Sequence, residues 1–255
     1  MMELQHITAG YGGAPVVRDV TLRCPAGRVT ALCGPNGCGK STLIRVAARQ
    51  LEPAGGRLLL AGRDAAALSR REFARQVAVF PQLRAVPALT AEALVLHGRF
   101  PHLGYPRRYG AKDRQIVAES LAAAGAAELA QVPVEQLSGG QRQKVYFAMT
   151  LAQRTPVVLL DEPTTYLDIR CQLELMALVR ALAAAGKAVL MVLHDLNLAL
   201  QYADEVAVLS AGRLTAAGTP GAVVRAGALE RAFGVHVHPV QPPEGGVQYV
   251  FTPRR

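Results

Sequence analysis

Residues 34–42 run Gly34, Pro35, Asn36, Gly37, Cys38, Gly39, Lys40, Ser41 and Thr42. A glycine, four intervening residues, then Gly39, Lys40 and Ser41 is a phosphate-binding pattern. The glycines let consecutive backbone N–H groups face an anion without Cβ obstruction. A helix beginning near Lys40 would turn its positive dipole end toward the same place. Lys40 supplies a full charge to phosphate, and the Ser41 hydroxyl is suited to coordinating Mg²⁺. Cys38 reads as a small side chain tolerated within the loop. At 157–160 four apolar residues lead into adjacent carboxylates, Asp161 and Glu162. A buried parallel strand reads as such a run, and ligands sit at the carboxyl ends of these strands. Asp161 can there hold the Mg²⁺ shell, and Glu162 can polarise a water for in-line attack on a terminal phosphate.

Leu137, Ser138, Gly139, Gly140 and Gln141 place a hydroxyl and glycine N–H groups ahead of an amphipathic segment that includes Val145, Phe147, Ala148 and Leu151. Taken alone, such a string is most often a plain helix cap. Beside the first cradle it reads as a second anion site. One chain needs only one cradle per nucleotide, so the economical reading is closure on a nucleotide held by another copy.

These groups need elements to carry them. The run 28–33 predicts a strand feeding the glycine loop, and Leu43, Ile44, Val46 and Ala47 predict the helix behind it. Ser69 to Glu72 forms a capping box for a short helix, and 77–80 predicts a strand ending at Pro81 and Gln82. Residues 84–150 read as an inserted helical lobe, with helical segments from Thr90 to about Ala130 broken by a Gly/Pro/Arg-rich connection at 98–110. The α/β pattern returns with strands at 156–160 and 188–193, helices at 169–184 and 196–202, and a closing hairpin at 205–217. The expected fold class is α/β, a mainly parallel sheet with helices on both faces. Strands at 3–8 and 17–23 should add an antiparallel edge. Two stretches, 1–83 and 151–235, should form the core; the tail, 236–255, shows only weak periodicity.

At 255 residues and 51% hydrophobic content, the chain has ample material for a core. No apolar run reaches the roughly 18–20 residues of a membrane span, and the N-terminus lacks a secretory pattern, so a cytosolic protein is expected. Four scattered cysteines suit buried thiols rather than a metal or disulfide framework. The net charge of +9 raises nucleic-acid binding. The basic residues are dispersed, however, Trp is absent, and no aromatic-basic interleaving offers a stacking surface. Nucleotide binding beside an anionic inner leaflet accounts for the same sign.

With the two cradles and the carboxylate strand in this order, the chain resembles the ATPases of ABC transporters over about residues 2–235. The resemblance implies an ATP- and Mg²⁺-dependent ATPase. Tyr11 then matches the aromatic that stacks on adenine, and Gln82 the glutamine that contacts Mg²⁺ and the attacking water. Asp168 matches the loop that communicates across a dimer, and His194 the histidine that contacts the γ-phosphate. Residues 137–141 match the signature sequence that closes on the ATP of a second copy. A lone histidine at a strand end is ordinarily structural, so His194 stands on the resemblance. Three stretches, 98–104, 163–169 and 192–199, resemble the ATPases of the iron-siderophore, haem and cobalamin uptake group, the second most like the iron(III)-siderophore branch. The implied setting is the cytoplasmic face of the cell membrane. The implied partners are a second copy, permease subunits docked near Gln82 and the lobe, and, indirectly, a substrate-binding protein; nucleic acid is not expected. Haem or vitamin B12 import is the alternative within the group. A nucleic-acid- or ribosome-associated ABC ATPase and a P-loop kinase are rivals of other classes; the kinase leaves 137–141 unexplained.

Overall fold

The computed structural model describes residues 1–80, 86–165, 167–241 and 247–254. Its strands are β1 (Met2–Ala9), β2 (Val17–Cys24), β3 (Val29–Cys33), β4 (Gly55–Leu60), β5 (Arg63–Asp64), β6 (Val77–Phe80), β7 (Val157–Asp161), β8 (Ala188–Val192), β9 (Glu205–Ser210), β10 (Arg213–Gly218), β11 (Val235–Val240) and β12 (Gln248–Pro253). Its helices are α1 (Lys40–Ala47), α2 (Arg70–Ala74), α3 (Ala91–His97), α4 (Ala111–Ala123), α5 (Gly139–Ala152), α6 (Ile169–Ala184), α7 (Leu196–Tyr202), α8 (Pro220–Arg225) and α9 (Ala228–Phe233).

A six-stranded sheet of order β10-β9-β3-β8-β7-β6 forms the centre. All its pairings are parallel except the β9–β10 hairpin. Every residue of β3, β7 and β8 is buried, which is why these strands are apolar throughout. Their side chains alternate between two cores. Val189 and Met191 join the side chains of α3–α6 on one face. Leu190 and Val192 meet Leu43 and Ile44 of α1 and the antiparallel sheet β2-β1-β4-β5 on the other. The phosphate-loop helix is thereby clamped between two sheets.

Helices α3, α4 and α5 pack against one another. The connection 98–104 pins them. A Cβ on Gly98 would lie 2.5 Å from the Met149 carbonyl oxygen, so α3 approaches α5 as closely as a glycine allows. Arg99, nearly buried, donates to Asp113 at 3.0 Å and to the Ala152 carbonyl at 2.8 Å. His102 meets the Gln153 carbonyl at 2.9 Å, and Arg71 of α2 and Arg75, which follows that helix, donate to the Pro101 carbonyl.

Two regions differ from expectation. Residues 55–64 form β4 and β5, which the sequence hides because 55–60 starts with two glycines and Arg57 and then has three consecutive leucines without alternation. Gly56 has φ +84°, and a Cβ there would meet the Gln5 carbonyl at 2.3 Å, a close approach only glycine permits. Beyond β10 the chain forms α8, capped by Thr219 with Pro220 in its first turn, then α9 and the β11–β12 hairpin.

Candidate functional site

Parallel pairing sets the site. Leu32 of β3 and Asp161 of β7 both stand opposite Val192 of β8, so the chain leaves these three strands at one edge of the sheet. From that edge emerge the glycine loop, Glu162 and His194, and Phe80 of β6 stands level with Leu160. Pro81 and Gln82 follow Phe80 but lie outside the described residues, so the two roles expected of Gln82 have no geometry here.

The glycine loop is close-packed where it must be. A Cβ on Gly34 would sit 2.2 Å from the Leu209 carbonyl oxygen and 2.6 Å from Cys38 Sγ. Gly37 has φ +75° with open space around it, while Gly39 has φ +109° and caps α1. The Cys38 carbonyl accepts from Gly212 N at 3.1 Å, tying the loop to the β9–β10 turn. Lys40 is buried, and its ammonium donates to the Gly34 and Pro35 carbonyls at 2.7 and 3.0 Å. The cation is thus held inside the loop's curve, where phosphate oxygens are better acceptors than neutral carbonyls. Pro35 and Asn36 complete the curve; Ser41 and Thr42 follow Lys40 in the first turn of α1. Cys38 is buried, and burial pushes its thiol up despite the pull of Lys40. Cys24 and Cys33, buried more deeply, are pushed up to about 12.

Asp161 is buried at the end of β7, which packs against α1. Burial, reinforced by the Glu162 charge beside it, pushes its carboxyl above the ordinary aspartate range, while Arg45, His194 and Lys40 pull the other way. A hydroxyl and a carboxylate, both hard oxygen donors, fit Mg²⁺, which takes one or two carboxylates together with substrate phosphates. Among the described residues no cluster of three His, Cys, Asp or Glu competes as a metal site.

Glu162 has φ +51°, a left-handed conformation uncommon for a residue with a side chain. Its carboxylate meets His194 Nε2 at 2.5 Å, and both side chains are partly exposed. A strained backbone and a solvent-facing carboxylate–imidazole pair at the sheet edge suit a group that acts on water.

Tyr11 is 56% exposed in the β1–β2 turn, and its hydroxyl accepts from Arg45 at 3.2 Å. Ser138 caps α5: its hydroxyl accepts from Gln141 N at 3.3 Å, while Gln141 Oε1 accepts from Ser138 N at 3.0 Å. Leu137 is buried beneath them, and Ser138, Gly139 and Gln141 are exposed. Asp168 caps α6 through Cys171 N at 2.7 Å, and that bond holds its carboxyl below the usual range. Tyr166, two residues before it, is outside the described set. Sequence reasoning missed Arg45 and the bond that Gln143 of α5 donates to the Pro163 carbonyl. Arg45 follows Ser41 by four residues, one helical turn on the same face, a spacing that could have pointed to it.

The chain matches the family described as ABC transporter over residues 17–165. It is 40% identical, across 94% of its length and 88% of the relative's, to the probable siderophore transport system ATP-binding protein YusV of Bacillus subtilis. It is 39% identical, across 96% and 92%, to the ferric enterobactin transport ATP-binding protein FepC of Escherichia coli. A hemin import ATP-binding protein, HmuV of Pseudomonas entomophila, is 40% identical across 99% and 100%. Among solved structures, the dimeric cassette MJ0796 superposes with a TM-score of 0.77 at 27% identity, covering 86% of this chain and 99% of that one. With its phosphate loop, carboxylate strand and capped glycine helix on an α/β cassette, the chain belongs to the ABC transporter family as an ATP-binding, ATP-hydrolysing subunit.

Proposed function

We propose that this ATPase energises an importer of iron(III)-siderophore chelates, working as a peripheral subunit at the cytoplasmic face of the cell membrane. The observation that carries its chemistry is the Glu162–His194 pair at 2.5 Å on the sheet edge that also bears the phosphate loop. Lys40 and the N–H groups of the loop from Asn36 to Thr42 hold the phosphates, and Tyr11 stacks on the adenine. Glu162 takes a proton from the attacking water, and His194 orients that carboxylate and reaches the terminal phosphate. Ser41 and Asp161, with Gln82, would hold Mg²⁺, which when bound neutralises charge developing on the phosphates.

Support for a shared site comes from exposed Ser138, Gly139 and Gln141, arranged at the N-terminus of α5, where backbone N–H groups suit an anion. A second copy would present it to the nucleotide of the first, with Asp168 at the junction. The permease would dock near the lobe and Gln82; among the described residues, Arg71, Phe100 and Arg107 line a cleft of about 250 Å³ between α2 and the 98–104 connection that could receive it. A substrate-binding protein would act through that permease. Among the described residues no helix is long and apolar enough to cross a membrane, which fits a subunit that relies on such a partner.

Cargo rests on relatives, since no residue here touches it. The siderophore reading follows YusV and FepC, and haem import is the second reading because HmuV is equally similar. The test is ATP hydrolysis by the chain co-purified with its permease, with cognate binding proteins loaded with ferric siderophore, haem or cobalamin. Stimulation by the siderophore complex is expected. Stimulation by haem alone would move the assignment, and salt-sensitive nucleic-acid binding with no response to any chelate would revive the non-transport rival.

A further inference from the structure

We propose that Arg45 is a positioning residue for base recognition, holding Tyr11 as a preformed platform for the adenine. The inference rests on the reading of Tyr11 as that platform. Tyr11 sits in a turn with Gly10, Gly12 and Gly13, and a Cβ on Gly12 or Gly13 would meet nothing within 4 Å. An exposed tyrosine on so open a loop has little packing to fix its rotamer. Ordering it on binding would then cost part of the stacking energy. Arg45 supplies the missing restraint. Its Nη1 donates to Tyr11 Oη at 3.2 Å, and its Cζ lies 5.8 Å from the ring centroid, within cation–π reach.

The arginine is well placed to do this because its own backbone is immobilised. Arg45 lies on α1 between Ile44 and Val46, both buried in the core between the two sheets. One turn earlier on the same helix stand Lys40 and Ser41. A single rigid element thus grips phosphate at its first turn and sets the base platform at its second. The spacing between the two ends of the nucleotide is fixed by helix geometry rather than by the mobility of a glycine-rich loop. Donation to the phenol oxygen also draws density from the ring, which favours stacking on an electron-rich purine.

The experiment is equilibrium binding to the full-length chain, read by competition against a ribose-labelled fluorescent ATP. ATP, CTP and inorganic tripolyphosphate serve as competitors. Arg45→Met keeps an unbranched side chain but removes the donors and the charge. It should weaken ATP about fivefold, the scale of one ordinary hydrogen bond, narrow the preference for ATP over CTP, and weaken tripolyphosphate by a clearly smaller factor, since only the general charge is lost there. Tyr11→Phe, which keeps the ring and loses the acceptor, should lose a similar factor, and the double variant should lose no more than either single one. Arg45→Lys should recover part of the loss. Additive losses, or equal weakening of tripolyphosphate, would overturn the proposal by making Arg45 an independent phosphate contact. Tyr11→Ala separates the two levels. If it leaves ATP affinity intact, the platform reading itself fails. If it weakens ATP while Arg45→Met does not, the platform stands and the role of Arg45 falls.

Discussion

At Glu162 the chain accepts a left-handed backbone and puts a carboxylate against an imidazole at the mouth of the sheet. Glu162→Gln keeps the side chain's shape and removes its basicity. That variant should bind ATP normally and lose turnover by about two orders of magnitude, within the range general-base catalysis supplies, while a closed ATP-bound dimer accumulates on size exclusion. Near-normal hydrolysis would remove Glu162 from its role. At this scale the sequence was informative where a motif is local. Lys40, Asp161 and Ser138 could each be placed from neighbours a few residues away. Arg45 was harder to read: its one-turn spacing from Ser41 was the only signal, because an arginine on a helix is ordinarily solvated and its partner Tyr11 lies 34 residues earlier.

Elements show the same division. The runs 28–33, 157–160 and 188–193 were readable because strands buried on both faces must be apolar throughout. Strands β4 and β5 were not, since 55–60 departs from alternation and depends on Gly56 lying against the Gln5 carbonyl. The β11–β12 hairpin was missed because its exposed face carries His236, His238 and Val250, a mixture with no clear polarity. In the lobe, Gly98→Ala should push α3 away from α5 and cost about 1–3 kcal/mol, the usual penalty for overpacking, visible as a lower Tm. Asp204 joins β9 to β3: it accepts from Val29 N at 2.7 Å and from Arg180 at 2.8 Å. Burial alone would raise its carboxyl, but these bonds outweigh it and hold the group below the aspartate range. Its contribution is therefore full above the unfolded-state value of about 4 and is lost as pH falls from there toward the lower folded-state value. Urea midpoints should fall over that acidic window, and Asp204→Asn should be weaker at pH 7 with a shallower acid slope.

For the molecule as a whole, the proposed completion of the site by a second copy implies that hydrolysis depends on encounter. Specific activity of the isolated chain should rise with protein concentration and level off as the dimer forms. A specific activity independent of dilution would mean that one chain suffices. Charge is consistent with this setting without deciding it, since +9 suits an anionic nucleotide and an anionic membrane surface alike.

The bond from Gln143 to the Pro163 carbonyl gives such a pair a further property. It joins the first turns of α5, which would grip the other copy's nucleotide, to the loop that follows this copy's Glu162. Under twofold symmetry the same bond recurs in the partner, so the two couplings close into a ring. Movement at either nucleotide would travel through both loops and return to its origin. Two such sites resemble cogs on one axle, and a pair carrying a single Glu162→Gln subunit should stall at both sites rather than run at half speed.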